Sequence, residues 1–120
     1  MPLAVVSFAA NQSEFKSTIE EVELAGRLSS ESFVKPDGKK GREVILTLRD
    51  PVSIDGDEFS GPKTGVIKVQ LVFSNNRIRG KTTRLLNRNV RIIGILFHAH
   101  KPEHRAPVLM DVKKVAAARA

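Results

Sequence analysis

The chain has 120 residues, with 20 Lys+Arg against 13 Asp+Glu and no Cys, Trp or Tyr, a length that fits one domain around one core. Without cysteine there is no disulfide framework, thiolate metal site or cysteine nucleophile, and no apolar run reaches the ~18 residues a membrane helix needs. The net charge of +7 favours a polyanionic partner, whether nucleic acid, anionic lipid or an acidic protein.

Residues 1–10, "MPLAVVSFAA", are apolar and end in small residues, with Ser7 and Ala9 placed as in the tail of a secretory signal peptide. No basic n-region precedes them, and a loosely packed N-terminal segment fits equally well. The segment 1–19 therefore stands apart from a domain over 20–115, with 116–120 as a tail. A signal remnant implies an exported or periplasmic protein; its absence implies a cytoplasmic one.

"QSEFKSTIE" at 12–20 predicts a short helical turn. "VELAGRL" alternates, with Val22, Leu24, Gly26 and Leu28 on one face and Glu21, Glu23 and Arg27 on the other, which is a half-buried strand. Gly26 inside it marks a bulge or bend. "KPDGKKG" at 35–41 is turn chemistry. "REVILTL" then alternates through Val44, Leu46 and Leu48. A long loop is expected over 49–65, broken by Pro51, Gly56, Gly61, Pro62 and Gly65. "VIKVQLVF" is a third strand with Ile67, Val69, Leu71 and Phe73 inward. Near-helical spacing of Ile78, Leu85 and Leu86 predicts a short helix over about Lys81 to Asn87. "VRIIGILFHAH" and "APVLMDVKKV" are the fourth and fifth strands, with Gly94 inside the fourth.

Five strands, one short helix between the third and fourth, and glycines inside the first and fourth predict a small β+α protein built as a five-stranded OB-like Greek-key barrel. From Glu20 to Val115 the chain also resembles an uncharacterised bacterial family of OB-like, mostly exported domains, known as a domain of unknown function. The resemblance lies in "ELAGRL", "LTLRDPVSI", "KVQLV" and above all "NRNVRIIGILFHAHKPEHRAPVLMDVKKV". It implies the fold and export. It implies no cofactor, catalytic residue or ligand.

The chemistry-bearing residues form two groups. His98, His100 and His104 stand within seven positions. Alternate strand positions share a face about 6.5–7 Å apart, and three neutral imidazoles suit zinc, copper or nickel. The strand phase offers a simpler account: a histidine at the end of an inward face covers apolar neighbours and hydrogen-bonds turn backbone, making a hairpin-end ligand contact rather than a metal site. Glu103 and Asp111 are the carboxylates near it in sequence. The second group is a run of cations without an acid: Arg77, Arg79, Lys81, Arg84, Arg88 and Arg91, which Lys101 and Arg105 extend. Such a patch suffices for sequence-independent phosphate contact. Base stacking needs aromatic rings, and Phe73 and Phe97 have core-like phase while Phe33 and Phe59 lie in loops.

"RGKTT" at 79–83 lacks the first glycine of a phosphate-binding loop, and "SIDGDEFSG" fails the spacing of a calcium loop. No nucleophile elbow is present. These residues predict a non-catalytic binding module without a cofactor, engaging or inhibiting an acidic protein through its basic surface. The alternative is a single-stranded nucleic-acid binder; a further alternative is a histidine-based metal protein.

Overall fold

The computed structural model describes residues 13–15, 21–56, 61–99 and 107–118. Its elements are β1 (Ser13–Phe15), β2 (Glu21–Val34), β3 (Lys40–Ile54), β4 (Lys63–Val72), α1 (Asn76–Thr83), β5 (Asn89–His98) and β6 (Val108–Ala117). The signal-like residues 1–10, Asp57 to Phe59, and the span from His100 to Arg105 fall outside the described residues.

Alternation builds the wall. In β2, Val22, Leu24 and Leu28 are buried while Glu21, Glu23 and Arg27 face out. In β5, Val90, Ile92, Gly94, Leu96 and His98 point inward. β2 pairs antiparallel with β3, β3 with β4, and β5 with both β2 and β6, while β4 and β6 run parallel. The β3–β4 pairing closes the sheet into a ring. Five strands in that order, with α1 between the third and fourth strands of the ring, make an OB barrel. Inside it Leu28, Leu46, Val69, Val90, Ile92, Leu96, Val108 and Met110 are fully buried, each stabilising the fold by about 1.5–3 kcal/mol through removal of apolar surface from water.

Two glycines make the closure feasible. A β-carbon at Gly26 would strike the Thr47 carbonyl oxygen of the paired strand. One at Gly94 would strike the Asp111 carbonyl and come within 2.7 Å of Met110 Cγ. The β5–β6 register shifts between Ile93 and Gly94, so a bulge bends the strand there.

The structure corrects four expectations. Ser13–Phe15 is a strand, parallel to Val52–Ile54, where a helical turn was expected. β3 runs on through Pro51 to Ile54 instead of opening into a loop, because Val52 and Ile54 reach the core. Pro51 is tolerated because the residues from Leu48 to Pro51 fall in the register break of the β3–β4 ladder. Ile67 faces solvent at 50% exposure; it sits opposite that break, so the inward phase of β4 resets from Val66 to Val69. The helix begins earlier than Lys81 because Asn75 caps it, its side chain accepting from the N–H groups of Arg77 and Ile78. Leu85 and Leu86 lie in the turn beyond it and pack on the core with Ile78.

Candidate functional site

His98 faces the barrel interior at 1% exposure. Its Nε2 is 2.7 Å from the carbonyl oxygen of Asp55. A carbonyl only accepts, so Nε2 carries the proton and donates. Nδ1 is buried with no hydrogen-bond partner among the described residues. The ring ties the end of β3 to the end of β5 and is turned away from any surface ligand. His100 and His104 lie outside the described residues, and among those described no group of three His, Cys, Asp or Glu is placed to hold a metal ion.

The cations of the 77–91 run do not form one patch. Along α1, Arg77, Lys81 and Arg84 follow at i, i+4 and i+7 and share an exposed face. Arg79 turns elsewhere: its guanidinium carbon lies 5.2 Å from the centroid of the Phe73 ring, a cation–π contact. Arg88 is exposed in the turn before β5. Arg91 is on the outer face of β5, 3.6 Å from Glu23. Lys101 and Arg105 lie outside the described residues.

What the fold does assemble is a groove along the outer face of β5. The outward residues, from one end to the other, are Phe97, Ile95, Ile93, Arg91 and Asn89, spanning roughly 27 Å at about 3.4 Å per residue. Three open depressions follow that line. The first, of about 390 Å³, is lined by Val72, Phe73, Ser74, Ile95, Phe97 and Asp111. The next, of about 340 Å³, lies between Ile78 and Lys81 of α1 and Glu23, Arg91, Ile93 and Lys114. The last, of about 310 Å³, is bordered by Arg27, Arg49 and Asn89 over the small floor of Ala25 and Gly26. Cross-strand register creates this order. Lys114 and Glu23 both pair with Ile93, Ala116 and Ala25 with Arg91, and Arg27 with Asn89.

Phe73 and Phe97 were expected in the core. Phe73, just beyond the end of β4, is half-buried and packs against the core while also lining the first depression; Phe97, with the outward phase of β5, is half-buried and lines that depression instead of the core. Phe33 is on β2 rather than in a loop, its ring within 2.9 Å of where a β-carbon on Gly41 would stand. Phe59 lies outside the described residues. The sequence run of cations omitted Arg27, Arg49 and Lys114. Arg27 was readable as outward in β2; its approach to Arg49 and Asn89 depends on strand pairing.

Residues 68–116 match the family model described as "Domain of unknown function (DUF4431)". No curated protein matches the chain. A solved structure described as "Plasmodium falciparum SSB complex with ssDNA" is similar at 14% identity and a TM-score of 0.42, over 83% of this chain and 93% of that one. No helix among the described residues is long and apolar enough to cross a membrane. From Lys68 to Ala116, which spans the second half of β4, α1, β5 and nearly all of β6, the chain is thus similar to an uncharacterised domain family.

Proposed function

We propose that the protein is a non-catalytic OB-type binding module that holds an extended single strand of nucleic acid along the outer face of β5. The observation carrying this reading is the graded order of that groove: Arg27, Arg49, Arg91, Lys81 and Lys114 at one end and middle, Phe73 and Phe97 at the other. Cations neutralise phosphates. Aromatic rings hold bases, at about 1–3 kcal/mol per stacked base. A basic face without rings suits an acidic protein equally well; the two phenylalanines favour a polynucleotide. A length of roughly 27 Å fits the lower end of the ~4–16 nucleotides an OB barrel covers.

Two of the five cations are partly committed, Arg91 to Glu23 and Arg49 to Asp50, each at 3.6 Å. About three remain for phosphate, so log affinity against log salt should fall with a slope of roughly −2, at about −0.7 per phosphate on a single strand. Fluorescence anisotropy with a labelled single-stranded 12-mer between 50 and 200 mM NaCl measures this. Lys81→Glu with Lys114→Glu should flatten the slope to about −0.7. If the oligonucleotide binds no tighter than about 10⁻⁴ M while polyglutamate is held, the partner is an acidic protein and this reading fails.

A further inference from the structure

The aromatic end of the groove contains an acid where a phosphate site would need a cation. Asp111 pairs with Ile95 on β5 and with Val72 on β4, so the three form one row across the first depression. Its Oδ2 lies 3.2 Å from Lys113 Nζ. Its Oδ1 is buried and has no hydrogen-bond partner among the described residues, although the side chain as a whole is 33% exposed. Glu21, paired with Ile95 from the other side, is a second acid at this end. With Lys113 and Arg79 set against these two carboxylates, this end has no excess positive charge to hold a phosphate. The Asp111 carboxylate, a third exposed and held by a single cation, instead keeps acceptor sites free for an N–H. Around it stand Val72, Ile95 and the two phenylalanine rings, and the Arg79 contact steadies Phe73. Apolar walls with one acceptor among them fit a planar, uncharged group that carries a donor on its edge.

We infer that this depression is a base-reading subsite: a nucleobase rests against Phe73 and Phe97 and donates an edge N–H to the Asp111 carboxylate. The inference rests on the single-strand reading above and names the part of the strand that enters. It also sets a preference among pyrimidines. The cytosine N4 amino group is a donor in open reach of a carboxylate. The N3–H of thymine stands between two carbonyl oxygens, which the carboxylate repels. The subsite therefore selects cytosine over thymine, two bases of nearly equal size.

The test compares (dC)8 and (dT)8 on the intact protein by anisotropy, with the wild type and Asp111→Asn. The wild type should prefer (dC)8 by about tenfold, which is ~1.4 kcal/mol. An asparagine amide both donates and accepts, so in D111N the preference should fall below about twofold, with the salt slope unchanged. Because the substitution is nearly isosteric, a thermal melt checks that the variant is folded. As a measurement that needs no variant, cytidine added to labelled wild-type protein should shift the amide resonances of Ile95, Asp111 and Phe97 more than thymidine does. Salt-dependent binding with no base preference would overturn the subsite and leave the single-strand reading standing. A preference that survives in folded D111N would overturn the role of Asp111. Binding of neither oligonucleotide would overturn both.

Discussion

At Gly94 the chain has no space for even one more carbon, since the Asp111 carbonyl and Met110 occupy it. Gly94→Val should cost about 2 kcal/mol or more through overpacking and displaced backbone, read as a lower denaturant midpoint at unchanged slope. A variant that unfolds at the wild-type midpoint would show that the bulge absorbs the side chain. His98 acts at the same scale by another means. His98→Phe keeps a ring of similar volume but removes the donor to the Asp55 carbonyl, so it should destabilise by about 1–2 kcal/mol. Solution NMR should show the change concentrated at residues 54–56, where the ring is attached. Exposed ion pairs such as Lys68 with Glu31 at 3.3 Å belong to a class worth ~0–1 kcal/mol each, too little to determine the fold.

Among the elements, α1 has a start set by a single side chain. Asn75 satisfies two N–H groups at the helix start, at 2.8 and 3.3 Å. Asn75→Ala should therefore cost about 1 kcal/mol, and it should loosen Phe73 and Arg79, which flank the cap. At the other end Asn87 takes a positive φ of 66°, a conformation in which asparagine is favoured among side-chain-bearing residues. The β2–β3 hairpin shows a second element-level effect. β5 pairs with β2 only as far as Arg27, whereas β3 pairs with it to Val34. The two pairings overlap only at Gly26 and Arg27, and Leu28 adds backbone bonds to Asn87 and Arg88. Hydrogen exchange should divide β2 accordingly: slowest over Gly26–Leu28, with alternate amides faster on either side.

The whole molecule turns one strand into a surface. β5 is covered on its inner face by the core and bordered on both edges by β2 and β6. Its outer residues therefore become the floor of a groove whose banks are other strands and α1. That arrangement predicts how ligand and stability are coupled. A single strand bound at 100 times its dissociation constant should raise stability by about 2.7 kcal/mol, and the gain should shrink with added salt as affinity falls. A melting temperature insensitive to the oligonucleotide at low salt would argue against binding to the folded barrel.

The sequence by itself determined the faces of β2 and β5 and the barrel class. The period-two pattern in β2 and β5, the glycines at 26 and 94, and the turn at 35–39 each follow from local rules that burial and backbone geometry impose. It also identified a basic protein and a histidine at an inward strand end. The position of α1 was misread, because Leu85 and Leu86 have helical spacing while packing from a turn. The inward placement of Ile67 failed because a register break is a property of two strands, and one strand's pattern does not show it. The candidate site was the least legible part. Which cations converge, and whether Phe73 and Phe97 line a groove or fill a core, depends on cross-strand neighbours up to tens of residues apart in the chain. Asp111 makes the point most clearly: along β6 it is an acid between Met110 and Val112, and only pairing with Val72 and Ile95 places it in the lining of the first depression.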